Sequence, residues 1–127
     1  MTYALDSWAI MCLLADEPSA DRVEAVLERQ RPVMSWVNLG EVYYIVRGRD
    51  GDAEARQTVR DLRPRLRLET PSEERVLAAA AIKADHPMAY PDAFAAATAV
   101  AASATLMTGD PELLVPDAPW RWEDLRP

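Results

Sequence analysis

The sequence predicts a single α/β domain over residues 1–127, built on a central, mainly parallel sheet of four to five strands. Three observations carry that prediction. Short apolar runs alternate with longer stretches of helical periodicity. Neither an internal repeat nor a low-complexity linker interrupts the alternation. A chain of 127 residues, half of them hydrophobic, suffices for one core and little more.

Tyr3 to Asp6 reads as the first strand, and Ser7 as the cap of a helix carrying Trp8, Ile10, Met11 and Leu14. Asp16-Glu17-Pro18 breaks that helix. Ser19 caps the next, with Asp21 in its first turn and Val23, Val26 and Leu27 on one face. Pro32 ends this segment, and Val33 to Trp36 forms a second strand. Asn38 caps a third helix, where Leu39, Val42, Tyr43 and Val46 fall at i, i+3, i+4 and i+7. Gly48 to Gly51 reads as a turn, Ala53 to Leu62 as a helix with a polar outer face, and Leu66 to Leu68 as a third strand. In Thr70-Pro71-Ser72-Glu73, Thr70 is the expected N-cap, Pro71 the first helical residue and Glu73 the partner in a capping box. That helix runs towards Lys83, and His86-Pro87 closes it. Pro91 opens another, Asp92 to Ser103, small and apolar nearly all round and therefore expected to be buried. Thr105 to Thr108 is a fourth strand, Gly109-Asp110-Pro111 a tight turn, and Trp120 to Trp122 a last edge strand.

Composition removes several functional classes. One cysteine, Cys12, and one histidine, His86, provide neither a disulfide scaffold nor a structural zinc site. A net charge of −7 excludes a basic nucleic-acid coat protein. It does not exclude nucleic acid as a substrate, because a site built from carboxylates adds negative charge that divalent cations offset. No basic leader precedes the apolar start, and Asp6 interrupts it. The uncharged run 93–109 is too short and too rich in alanine for a membrane span. With a single thiol, these features lead to an expected cytoplasmic location and no membrane partner.

Four carboxylates stand where structure alone does not call for them. Asp6 falls between an apolar strand and an apolar helix. Asp92 follows Pro91 in the first turn of the alanine-rich helix, Asp110 follows the fourth strand, and Glu41 lies one turn into the third helix. In an open parallel sheet, ligands bind beyond the carboxyl ends of the strands, where strand order reverses. Carboxylates converging there would repel one another and raise each other's pKa. Mg²⁺, which prefers carboxylate and water oxygens, relieves that repulsion. Two such ions about 4 Å apart can position a water and stabilise the leaving oxygen of a phosphodiester. Each acid also has a plainer role: Asp92 complements a helix dipole, Asp110 serves a turn, and Glu41 is a partly solvated helix residue. Asp6 resists such a reading.

The segments Tyr3-Ala4-Leu5-Asp6-Ser7, Ser35-Trp36-Val37-Asn38-Leu39-Gly40-Glu41-Val42, Pro91-Asp92-Ala93-Phe94-Ala95-Ala96 and Leu106-Met107-Thr108-Gly109-Asp110-Pro111-Glu112 resemble the motifs of PIN-domain ribonucleases. More narrowly they resemble the VapC toxins of bacterial toxin–antitoxin pairs. Each motif alone is weak, but the ordered set spans nearly the whole chain. The resemblance implies a three-layer α/β/α fold and a Mg²⁺- or Mn²⁺-dependent endoribonuclease neutralised by a cognate VapB-like antitoxin, as a homodimer or a toxin–antitoxin hetero-oligomer. It assigns catalysis and metal binding to Asp6, Glu41, Asp92 and Asp110, and a supporting hydroxyl to Thr108. A non-catalytic PIN-like module that binds RNA or protein is the alternative; it would be expected to have lost acids, and all four are present.

Other classes fit less well. A phospho-receiver needs adjacent early acids and a lysine after a late strand, but Asp6 has no acidic neighbour and Lys83 lies in a helix. An Asp-x-Asp phosphatase fails at Trp8. A metal-independent ribonuclease needs an Arg–His pair that His86 lacks. Arginines cluster at Arg29–Arg31, Arg47–Arg49 and Arg60–Arg67; most read as solvated surface, with Arg47 and Arg49 the better RNA candidates because they close the Glu41 helix. Cys12 fits a buried helix position. Trp8, Tyr43 and Tyr44 are divided between core and a groove for a partner helix. Trp120 and Trp122 read as packing or dimer contacts.

Overall fold

The computed structural model describes residues 1–127. Five parallel strands form one sheet in the order β3-β2-β1-β4-β5: β1 (Tyr3–Leu5), β2 (Val33–Ser35), β3 (Arg67–Glu69), β4 (Thr105–Thr108) and β5 (Arg121–Asp124). The chain lays β2 and β3 to one side of β1, then crosses to lay β4 and β5 on the other. Strand order therefore reverses between β1 and β4, and the carboxyl ends of both strands open at the same edge.

Six helices cover the sheet: α1 (Ser7–Leu14), α2 (Ala20–Arg29), α3 (Trp36–Asp50), α4 (Asp52–Leu62), α5 (Glu73–Asp85) and α6 (Tyr90–Ala101). The pleat sends alternate residues to opposite faces. Leu5, Met34 and Met107 join Ala9, Ile10, Val23, Val26, Leu39, Val42 and Val46 in a core beneath α1 to α4. Their neighbours Ala4, Val33 and Leu106 join Phe94, Leu113, Trp120 and the alanines of α6 in a second core beneath α5 and α6. Three layers result, and every residue from Asp92 to Ala99 is buried. No helix is long and apolar enough to cross a membrane.

Several helix starts differ from the sequence reading, each for a local reason. Asp6, not Ser7, is the N-cap of α1: its Oδ1 accepts from Ala9 N at 2.9 Å. Ser35, not Asn38, caps α3, its hydroxyl accepting from Val37 N at 3.2 Å, so Trp36 is helical and Asn38 lies inside the helix. The expected turn at Gly48–Gly51 shrinks to Gly51, which alone takes a left-handed φ of 92° while α3 runs on to Asp50. Ser72 replaces Thr70 as the cap of α5 through Arg75 N, which leaves Pro71 outside the helix and Glu73 as its first residue. The last strand starts at Arg121 instead of Trp120, and Trp120 is buried with its indole N–H donated to the Leu113 carbonyl.

The C-terminal segment is tied to β4 and to the amino half of the chain. Leu125 N donates to the Thr108 carbonyl at 2.9 Å, the Ser19 hydroxyl donates to the Leu125 carbonyl, and Arg22 pairs with Glu123 at 2.9 Å. Ser19 therefore spends its hydroxyl on the tail and makes no side-chain cap for α2.

Candidate metal centre

At the edge where β1 and β4 end, a cavity of about 780 Å³ opens between α1, α3 and the start of α6. Glu41, Asp92, Asp110 and Glu112 lie in its wall, together with Trp8, Met11, Cys12, Ile45 and Arg49. Each acid is delivered by a different device. Asp92 sits in the first turn of α6, after Pro91, whose fixed φ suits a helix start. Asp110 follows β4 in a turn, where its Oδ1 accepts from Glu112 N at 3.0 Å. Glu41 comes from the second turn of α3.

Asp92, Asp110 and Glu112 each place a carboxylate oxygen within 4.8 Å of the others. Glu112 was present in the sequence motif but carried no assigned role. Its Oε2 also accepts from Ala89 N at 3.0 Å, which fastens the β4–α6 junction beside the other two acids. Acidic identity two residues after Asp110 was the only available signal, and exposed glutamates after turns are too common for it to discriminate.

Asp6 lies behind this wall, 1% exposed, and does not line the cavity. Its second oxygen accepts from the Thr108 hydroxyl, and that hydroxyl in turn accepts from Asp110 N at 3.0 Å. Thr108 thus links the first acid to the last, the supporting position expected of it. Burial pushes the Asp6 carboxyl from 3.8 up to about 7, against the lowering effect of the Thr108 and Ala9 hydrogen bonds; the charges of Asp110 and Glu41 add to the rise. Asp92 is raised too, by burial first, then by a hydrogen bond with Asp110 and by the charges of Asp110, Asp6 and Glu41. The four acids expected from the sequence thus form one electrostatic group, three at the cavity wall and Asp6 beneath it.

The donor set fits a hard divalent cation. Every candidate ligand is a carboxylate, no sulfur or imidazole donor competes in the acidic cluster, and each oxygen of Asp6 retains a lone pair beyond its one hydrogen bond.

The remaining side chains divide clearly. Arg47 is held by Asp52 at 3.2 Å, whereas Arg49 lines the cavity and takes part in no ion pair. Arg65 pairs with Glu24 at 2.6 Å, Arg31 donates to the Leu66 carbonyl, and Arg63 lies over the Trp36 ring at 5.5 Å. His86 stacks edge-on against Trp120 at 5.1 Å and lies outside the cavity wall. Trp8 lies against Gly109 so closely that a Cβ there would stand 2.2 Å from the indole.

A parallel sheet with carboxylates gathered at its switch point defines a class of α/β domain whose ligand site lies beyond the strand ends. A PIN domain family profile matches residues 3–118, and the chain belongs to that family. No match is found among curated proteins. Solved structures of similar fold include VapBC2 of Rickettsia felis bound to a promoter DNA fragment, with TM-score 0.76, 18% identity and 98% of each chain covered. VapBC-1 of nontypeable Haemophilus influenzae superposes at TM-score 0.75 with 24% identity over 98% of each chain. FitAcB of Neisseria gonorrhoeae gives 0.73 and 21% over 98% of each chain.

Proposed function

We propose that this chain is the metal-dependent endoribonuclease of a toxin–antitoxin pair, acting through Asp6, Glu41, Asp92 and Asp110, with Thr108 and Glu112 in support. The observation that carries the reading is the gathering of these carboxylates at the switch point of a PIN-family sheet, beside an open cavity. Carboxylate-bound Mg²⁺ or Mn²⁺ would supply an activated water and charge neutralisation at a scissile phosphate. The chain's own contribution is placement. Thr108 fixes the Asp6 carboxylate, Asp92 and Asp110 share the cavity wall, and Arg49 offers a cation two helical turns from Glu41, where a neighbouring RNA phosphate could be held. The expected products carry a 3′-hydroxyl and a 5′-phosphate.

A VapB-like antitoxin is the proposed partner, supported by similarity in fold to structures described as VapBC complexes and a toxin–antitoxin complex. The apolar stretch of the cavity wall, Trp8, Met11, Cys12 and Ile45, offers a surface for an antitoxin segment. The complex would hold the toxin silent, as a homodimer or hetero-oligomer in the cytoplasm.

The test is cleavage of total RNA by purified protein with Mg²⁺, with Mn²⁺ and with EDTA, beside Asp6→Asn prepared identically. Discrete metal-dependent products that the variant fails to make are expected. Full activity in Asp6→Asn at matched metal would overturn the site. A folded, antitoxin-free wild type that cleaves nothing would favour a non-catalytic RNA- or protein-binding module.

A further inference from the structure

Asn38, a residue of α3, is wholly buried against the start of α6. Its Nδ2 donates to the Pro91 carbonyl at 2.9 Å and to Glu41 Oε1 at 3.3 Å. Pro91 immediately precedes Asp92, and Glu41 stands one turn further along α3. The other end of the amide, Oδ1, is the one buried side-chain polar atom in the chain without a partner. Turning the amide over would set Oδ1 against two acceptors, so this orientation is the one chemistry allows.

An unpartnered buried oxygen is unfavourable, and an apolar side chain of similar volume would fill the space without it. Packing alone therefore does not explain an amide here. What the amide supplies is a forked donor: one N–H reaches the backbone at the start of the Asp92 helix, and the other reaches the carboxylate of Glu41. A free glutamate among other acids can rotate away from them about its three side-chain bonds. We propose that Asn38 is a positioning residue that holds the Glu41 carboxylate in register with the start of α6, so that Glu41 and Asp92 face the same cation. This rests on the metal-site reading above.

The test measures Mn²⁺ binding directly, by calorimetry or electron paramagnetic resonance, on wild type, Asn38→Leu, Asn38→Ser and Glu41→Ala, and on Glu41→Ala combined with each Asn38 change; alanine leaves Asn38 Nδ2 no acceptor at that position. Thermal unfolding in EDTA is followed in parallel. Both Asn38 variants should bind Mn²⁺ about tenfold more weakly, and Asn38→Leu, which loses the bond to the Pro91 carbonyl together with the unpartnered Oδ1, should melt close to wild type. In the Glu41→Ala background, either Asn38 change should weaken binding by less than about twofold, because its effect runs through Glu41. Unchanged Mn²⁺ affinity in a folded Asn38 variant, or losses that simply add to that of Glu41→Ala, would overturn the proposal. If Asn38→Leu fails to fold, the smaller Asn38→Ser decides. Wild type that binds Mn²⁺ but cleaves no RNA would defeat the nuclease reading and leave the positioning role standing. Wild type that binds no Mn²⁺ would defeat both.

Discussion

Replacing Asp6 by asparagine should make the metal-free protein more stable at alkaline pH while abolishing cleavage. Folding carries the Asp6 carboxyl from 3.8 to about 7, chiefly by burial. Between those values the folded chain keeps a proton that the unfolded chain has released. Stability therefore falls as pH rises, and the penalty is complete above about 7. At about 1.4 kcal/mol per pH unit, the ionised carboxylate costs the fold about 4 kcal/mol at pH 8 as an upper bound. Asparagine has the same shape, carries no charge and keeps an oxygen to accept from Ala9 N, while its Nδ2 can only donate to the Thr108 hydroxyl, which offsets part of the gain. For a domain of this size, 1 kcal/mol shifts the melting temperature by roughly 3–4 °C. Thermal unfolding in EDTA should thus show Asp6→Asn melting roughly 6–15 °C above wild type at pH 8, and within about 3 °C of it at pH 4.5. A variant that melts at or below wild type at pH 8, or a gain that does not shrink in acid, would refute the argument that a buried, ionised Asp6 opposes the metal-free fold.

Three further outcomes are expected. Gly109→Ala should lose about 1–3 kcal/mol of stability in chemical denaturation, because the added methyl group meets the Trp8 ring; Trp8→Leu in the same chain should recover part of the loss. Arg49→Ala should raise the KM for RNA and flatten its salt dependence by about one unit of log–log slope, whereas Arg47→Ala, whose guanidinium is held by Asp52, should leave both nearly unchanged. Mn²⁺ at about a hundred times its dissociation constant should stabilise the chain by about 2.7 kcal/mol. Since the cation must displace protons from the raised carboxyls of Asp6 and Asp92, the apparent Mn²⁺ affinity should be higher at pH 8 than at pH 6.

The layering and the parallel sheet were legible because burial follows period. Short continuous apolar runs report strands buried on both faces, and the Leu39-Val42-Val46 stripe reports which face of α3 meets the core. The alanine-rich helix was readable as buried because it offers no polar face. Helix caps were less legible, since Asp6-Ser7 and Thr70-Pro71-Ser72 each offer two competent residues within a few positions, and tertiary geometry selects one. Asn38 misled for the same reason: asparagine favours caps in isolation, and only the approach of Pro91, far along the chain, gives it a partner inside a helix. Four acids stood out through their surroundings, whereas Glu112 shows itself only when β4 and α6 have been brought together. The separation of Arg47 from Arg49 likewise depends on Asp52, which a sequence read by composition does not pair with either.

The tail fastened across β4 has a practical consequence. Pro127 stands in the cavity wall, while Tyr3 begins β1 at the opposite edge of the sheet. A peptide appended after Pro127 would emerge at the wall of the cavity that also holds the acidic cluster, tethered there at an effective concentration on the order of millimolar. Even a weak inhibitory peptide fused at that position should silence cleavage within its own molecule. Proteolysis of the joining linker should restore it, giving a switch that needs no separate partner. Affinity handles meant to leave the site open belong at the amino end.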